Sequence, residues 1–166
     1  MAGMINQLIE IMNEQNERHE ELLGLSLEEK DAIIQNDTDT LQNLVNLKQM
    51  VISQNNRIEK KRLSLVADIA EVLGQSKKDL DLGELIDLLE GQKEQARLKE
   101  SGERLREIVY KLKDANDVNR ELLNAALEYV NYSLNALQST ISPEPTMMPV
   151  PHRGVEEKTG KLNKKM

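Results

Sequence analysis

The chain has 166 residues, 31% of them charged, with a net charge of −7 and no Cys, Trp or Phe. Disulfides and cysteine-based zinc sites are therefore excluded, and the acidic balance disfavours general nucleic-acid binding, which depends on phosphate contacts. No run approaches the roughly 18 apolar residues of a membrane span, and the N-terminus lacks a secretion-signal pattern. Because large aromatic residues are scarce, we expect an elongated all-α bundle with thin aliphatic seams.

Two long helices open the predicted bundle, at about 3–35 and about 38–73. In each helix one row of positions recurs every three or four residues, which is the a/d spacing of paired helices. The two rows are Ile5, Leu8, Met12, Gln15, His19, Leu22, Ser26, Glu29 and Ile33, and then Leu41, Leu44, Lys48, Val51, Asn55, Ile58, Arg62, Leu65, Ile69 and Val72.

The connection between these helices is short, so we expect them to be antiparallel neighbours in a hairpin. Asn36 suits the left-handed conformation that ends a helix, and Asp37 suits the cap of the next one. Gly74 stands where a glycine would close the second helix. If the turn is centred near residue 37, the numbers of two residues that face each other across the hairpin add up to about 74. Apolar positions of one helix then face apolar positions of the other, and polar positions face polar ones, with Glu29 near Lys48.

A short third helix is predicted at about 82–90. Asp81 and Glu84 have the spacing of a capping box, and Gly91 is expected to break the helix at its other end. Its buried positions are predicted to be Leu85, Ile86, Leu88 and Leu89.

The longest predicted helix runs from about 94 to 138 and carries two apolar stripes, which indicates more than one neighbour. We expect its part up to Ala115 to pack on the hairpin and the part from Asn116 onward to hold surplus apolar surface. The first stripe is Leu105, Ile108, Leu112, Ala115, Leu122, Ala126 and Tyr129, and the second is Val109, Leu123, Val130 and Leu137.

Residues 140–166 contain four prolines, two glycines and four lysines, and they are predicted to be disordered in isolation, leaving 1–139 as the helical bundle. Met147 and Met148 suit a surface that adapts to varied partners, although an inert solvated end fits the composition equally well.

Catalytic and metal-binding patterns are not found in the sequence. His19-Glu20-Glu21 begins like a zinc-protease helix, but Leu23 stands where the second ligand would be. We therefore assign His19 to a polar layer of the hairpin. No phosphate-binding glycine loop or nucleophile elbow is present, and the carboxylates are spread along helical faces. The sequence predicts a protein that is not an enzyme and that needs no cofactor or metal.

Two tyrosines near the end of the long helix, Tyr129 and Tyr132, lie three residues apart and share a helix face. Each combines an apolar ring with a polar hydroxyl, which suits a binding surface. The alternative that they fill gaps at the end of the bundle is equally open from the sequence.

Several segments of the chain, in their order along the sequence, resemble motifs of the FlgN family of flagellar export chaperones. The resemblance covers about residues 4–138. The segments are Leu8-Ile-Glu-Ile11, Leu27-Glu-Glu-Lys-Asp-Ala-Ile-Ile34 with Asn36-Asp37, Leu82-Gly-Glu-Leu-Ile-Asp-Leu-Leu89, Asn116-Asp-Val-Asn-Arg-Glu-Leu-Leu123 and Leu127-Glu-Tyr-Val-Asn-Tyr-Ser-Leu-Asn-Ala-Leu137.

The resemblance implies a cytoplasmic, non-enzymatic chaperone that binds hook-associated proteins of the hook–filament junction and delivers them to the export gate. It implies that the C-terminal part meets the amphipathic C-terminal helix of the cargo, and that Tyr129 or Tyr132 docks on the gate. We expect residues 123–150 to form the cargo site. Its core would be Leu123, Leu127, Val130, Leu134 and Leu137.

Two other classes of protein fit parts of the pattern. A structural coiled-coil adaptor or self-assembling helical protein would have the same heptads, and a homo-oligomer in the absence of cargo is compatible with either class. An amphipathic membrane-surface protein is disfavoured by the acidic body, which carries a charge of −9 before the basic tail.

Overall fold

The computed structural model describes residues 1–76 and 80–141, and within them the chain forms an all-α bundle with no strand. Its helices are α1 (Ala2–Ile34), α2 (Thr38–Val72), α3 (Leu82–Leu88) and α4 (Lys93–Ile141). The helix ends lie within three residues of those expected from the sequence. The chain divides into two compact units, Met1–Ala125 and Ala126–Met166. The predicted disorder of the tail concerns residues that, from 142 onward, lie outside the described part.

The α1–α2 turn is built by the two residues that the sequence indicated. Asn36 has φ 55°, and the amides of Asn36 and Asp37 donate to the carbonyls of Ile33 and Ala32, which is a Schellman ending. The Asp37 carboxylate then accepts from the amide of Thr40 at 3.1 Å and caps α2. The left-handed Asn36 and the Asp37 cap are both confirmed.

The hairpin register follows the predicted pairing. The amide Nε2 of Gln15 donates to the carboxylate of Glu59 at 2.6 Å, and these two residue numbers sum to 74. Lys48 donates to Glu29 at 2.6 Å, as the expected polar layer requires. Every position of the α1 row is buried except His19, which is half-buried. The paired seam between α1 and α2 is therefore confirmed.

The end of α2 departs from the predicted row. Val72 is 60% exposed, whereas Val66 and Ala70 are buried. In the register that sums to 74, Val72 would face residue 2, where α1 only begins, so no partner helix covers it. The prediction that Val72 belongs to the seam is wrong. Gly74, with φ 67°, closes the helix as expected.

A cluster of buried hydrophobic side chains lies where α3 meets the other helices. Asp81 and Glu84 form the expected capping box, with bonds of 2.8 and 2.9 Å. Leu85 and Leu89 are buried, but Leu88 is 40% exposed because α3 presents only one face to the bundle, so its predicted burial is wrong. The buried members of this cluster are Ile5, Leu8, Ile9, Met12, Val66, Ile69, Leu85, Leu89 and Leu98.

Gly102 of α4 lies against Leu82 of α3. A Cβ atom at this position would lie 2.5 Å from Cδ2 of Leu82, so an alanine here would require the end of that flexible side chain to move.

In the first unit α4 packs along α1 and runs parallel to it, because the contacting residue numbers rise together. Asn16 contacts Ser101, Arg104 contacts Glu20, and Asn119 contacts Ser26. This packing extends to Asn119, four residues beyond the expected limit at Ala115.

The second apolar stripe of α4 is largely exposed within the described residues. Val130 and Leu137 are 50% and 57% exposed and Leu123 is half-buried, which agrees with the surplus apolar surface expected from Asn116 onward. Val109 is 44% exposed, so the expectation that this stripe meets a second neighbour in the first half of the helix is wrong. In the first unit α4 lies against the hairpin through one face.

Candidate partner-binding surface

An uncovered apolar row lies on α4 in the second unit. Its members are spaced three and four residues apart, so they share one helix face. They are Leu127 (61% exposed), Val130 (50%), Leu134 (50%) and Leu137 (57%). We call these four residues the apolar row. Leu123, the fifth predicted cargo residue, belongs to the first unit and is half-buried.

The apolar row repeats a spacing that is covered earlier in the same helix. Leu105, Ile108, Leu112 and Ala115 have the same intervals, and each precedes a member of the apolar row by 22 residues. In that earlier set Ile108 is 6% exposed and the other three are half-buried. The chain thus repeats, about six helical turns later, the kind of surface that a neighbouring helix covers. A contiguous apolar strip left exposed is typical of a partner-binding surface.

The two tyrosines lie on other faces of α4. Tyr129 and Tyr132 are 72% and 74% exposed, so neither fills a gap in the bundle. At about 100° per residue, Tyr132 points away from the apolar row and Tyr129 lies about 120° from its centre. A partner bound along the apolar row would leave the Tyr132 hydroxyl accessible.

Buried asparagines fix the position of α4 on α1, and sequence reasoning missed them. Asn16 donates to the carbonyl of Ser101 at 3.2 Å, and the Ser101 hydroxyl donates to Asn13 at 2.9 Å. Asn119 donates to the carbonyl of Ser26 at 2.8 Å. The available signal was the interval between Ala115 and Leu122 in the first predicted stripe, where Asn119 occupies the skipped helical position.

An ion pair joins this seam to α2. Glu29 and Lys48 are 10% and 17% exposed at their side chains, and the Lys48 ammonium also lies 3.5 Å from Oδ1 of Asn116. The Ser26 hydroxyl donates to the same Asn116 oxygen at 3.2 Å. Three helices are therefore linked through one polar layer, of which the sequence predicted only the α1–α2 part.

A second polar layer contains His19, as expected. Its Nδ1 donates to the carbonyl of Gln15 at 2.8 Å. Arg62 makes two hydrogen bonds to Glu59 at 2.6 and 2.8 Å, and these lower the pKa of that carboxyl despite the opposing effect of burial. Donation by Gln15 lowers the same pKa further. The layer is a structural hydrogen-bond network between α1 and α2.

Among the described helices none is long and apolar enough to span a membrane. The fold and the exposed row together define a class, an all-α bundle that presents an uncovered apolar helix face.

The model of the FlgN family, described as FlgN protein, matches residues 1–147, and the chain therefore belongs to the FlgN family. Membership implies the role of a flagellar export chaperone. No curated protein and no solved structure matches the chain.

Proposed function

We propose that the chain is a cytoplasmic chaperone that holds hook-associated proteins unassembled and delivers them to the flagellar export gate. It has no enzymatic activity in this proposal and uses no cofactor. Two observations support it: membership of the FlgN family, and an apolar row on α4 that is at least half exposed at every position. The apolar row carries the proposal, because a chaperone of this class needs a place to shield an apolar segment of its cargo.

The cargo element that fits the row is an amphipathic helix. Leu127 and Leu137 are ten residues apart, so the row is about 15 Å long and matches about three turns of a partner helix. Covering four half-exposed side chains would contribute roughly 4 kcal/mol before the cost of association. A surface of this size gives a modest affinity, which suits a chaperone that must release its cargo at export.

Docking on the export gate would use a different face of the same helix. Tyr132 points away from the apolar row, and Tyr129 lies to one side of it, so we assign the gate contact to Tyr132 first. A chaperone with these two faces could hold its cargo and meet the gate at the same time. The predicted cargo site also includes residues 142–150, which lie outside the described residues.

The proposal is tested by removing the apolar row and leaving the fold intact. The variant carries serine at Leu127, Val130, Leu134 and Leu137, and calorimetry measures its binding to C-terminal segments of hook-associated proteins. We expect at least a tenfold loss of affinity with an unchanged helical circular dichroism spectrum. The matched control is Leu63→Ser in α2, which is also 50% exposed. Full affinity in the row variant would refute the assignment of the cargo site.

A structural adaptor that assembles with itself is the competing proposal, since the same exposed row would suit self-association. Light scattering on the full chain separates the two. A single discrete species that gains one cargo chain supports the chaperone, and open-ended assembly supports the adaptor.

A further inference from the structure

A groove within the first compact unit runs between α1 and α4. Its volume is about 330 Å³, and its walls are Leu23 and Leu27 from α1 with Ala115 and Val118 from α4. We call it the α1–α4 groove. It is separate from the apolar row, which belongs to the second unit.

The groove walls have the spacing that receives a third helix. On α1 the lining positions include Leu23, Leu27 and Lys30, and each has a counterpart 88 residues later on α4. The counterparts are Lys111, Ala115 and Val118. Two parallel helices with rows in matched register create holes for the side chains of an added helix. The matched rows extend over seven residues, or about 11 Å, which is two helical turns.

The earlier part of the same interface is lined by polar side chains around a separate cavity of about 320 Å³. There Arg97 donates to Asn6 at 3.1 Å and Arg104 pairs with Glu20 at 2.6 Å, so polar side chains bridge the two helices. Farther along, the groove walls are apolar and exposed: Leu27 is 52% exposed and Val118 is 40% exposed.

The floor of the groove is formed by Asn119, which is only 4% exposed. Its Nδ2 donates to Ser26, but its Oδ1 is buried without a hydrogen-bond partner in the described residues. The open walls and the unpartnered floor occur at the same place.

We propose that the α1–α4 groove binds an amphipathic helix of a partner protein that carries acidic side chains along the edges of its apolar face. Lys30 and Lys111 stand on the two rims, one from each helix, with Asp114 as the one rim carboxylate. Lys111 pairs with Glu107 in an ion pair that is 60–67% exposed, and such pairs contribute little and exchange readily. Acidic groups of a partner would complement the two rim cations.

Charge and size argue against the other occupants of the groove. Residues 142–166 contain five basic and three acidic side chains, so the chain's own tail has the same sign as the rim lysines. A second copy of this chain would need about 800 Å² per partner for a stable dimer. A strip about two turns long offers much less than that area and suits a single helical segment.

Two designed 14-residue peptides test the proposal on the full chain. They share leucines in an i, i+3, i+4, i+7 pattern and differ in having glutamates or lysines beside that apolar face. Fluorescence polarisation gives their affinities, and NMR amide shifts locate the bound peptide. We expect the glutamate peptide to bind at least tenfold tighter than the lysine peptide and to shift the amides of Leu27 and Val118.

Three variants test whether the peptide binds in the α1–α4 groove and whether the rim lysines set its charge preference. Leu27→Ser combined with Val118→Ser should weaken binding at least tenfold, whereas Leu63→Ser, on the equally exposed surface of α2, should leave it unchanged. Lys30→Glu combined with Lys111→Glu should reverse the preference between the two peptides. The serine variant of the apolar row should bind the glutamate peptide normally, so failure of the cargo assignment and failure of this proposal are distinguishable.

Several outcomes overturn the proposal. Peptide-induced shifts at Leu134 in place of Leu27, or equal affinity for both peptides, would refute the assigned site or its charge preference. Without peptide, a dimer in sedimentation velocity that Val118→Ser abolishes would assign the groove to a second copy. A nuclear Overhauser contact between Val118 and residues 142–166 would assign it to the tail.

Discussion

Removing the Glu29 carboxylate should be among the more damaging single changes in the bundle. The side chains of Glu29 and Lys48 are 10% and 17% exposed, and their charged atoms lie 2.6 Å apart. In Glu29→Ala the Lys48 ammonium keeps only the oxygen of Asn116, at 3.5 Å. A mostly buried cation would then lack its counter-ion.

The expected loss is about 3 kcal/mol in the free energy of unfolding. Breaking a buried ion pair by removing one partner costs about 3–5 kcal/mol. We take the lower end because the flexible Lys48 side chain can move its ammonium toward solvent. A loss of about 3 kcal/mol lowers the folding equilibrium constant more than a hundredfold, since about 1.4 kcal/mol corresponds to a factor of ten.

Urea unfolding followed by circular dichroism measures this loss, and a double variant provides the control. Glu29→Leu with Lys48→Met removes both charges and fills the space with apolar atoms, so we expect its stability to lie within about 1 kcal/mol of the parent chain. A loss below about 1 kcal/mol in Glu29→Ala would show that the buried ion pair does not contribute as expected. A double variant that loses as much stability as the single one would contradict it as well.

Three further predictions concern single positions. Leu8→Ala, at a fully buried position of the α3 core, should lower the free energy of urea unfolding by about 3 kcal/mol or more, and a loss below about 1 kcal/mol would contradict the core assignment. Asn36→Gly should raise the thermal midpoint slightly and Asn36→Val should lower it, because φ is 55° there; the reverse order would contradict the left-handed turn. Glu59→Gln should cost below about 1 kcal/mol at pH 7, since Glu59 is 38% exposed. Because Arg62 depresses the folded-state pKa of Glu59, this stabilisation is present above the ordinary pKa of 4.5 and is lost as the pH falls through the folded-state value. A stability difference between Glu59→Gln and the parent chain that stays constant from pH 7 to pH 3 would contradict that linkage.

The hairpin was predictable because its signals are local and mutually consistent. Asn36 and Asp37 specify the turn through their own backbone preferences, and the heptad spacing then fixes which residues face each other. The register that pairs Gln15 with Glu59 follows from those two facts alone. The capping box at Asp81 is likewise encoded within four residues.

The seam between α1 and α4 was predictable only in outline. Its specific contacts join residues about 90 positions apart, such as Ser26 with Asn119, and single polar side chains inside an apolar stripe look like ordinary surface residues in the sequence. Val72 and Leu88 were misassigned for a related reason. Periodicity shows that a residue could face a neighbour, but not whether the neighbour extends that far.

The candidate site was only partly visible in the sequence. The spacing of the apolar row is readable, but the same spacing occurs at Leu105 to Ala115, where α1 covers it. Exposure distinguishes the two rows, and exposure depends on the packing of the whole first unit. The separation of Tyr132 from the row follows from helix periodicity once that row has been identified.

Site-specific photocrosslinking tests which face of α4 contacts the cargo. A photoreactive amino acid is placed at Leu134, in the apolar row, or at Tyr132, on the far face of the same helix. Each protein is then irradiated with the C-terminal segment of a hook-associated protein at a concentration that saturates binding. We expect a crosslink to the cargo from position 134 and none from position 132. Cargo that binds but crosslinks from position 132, or from neither position, would contradict the assignment of the cargo site to the apolar row.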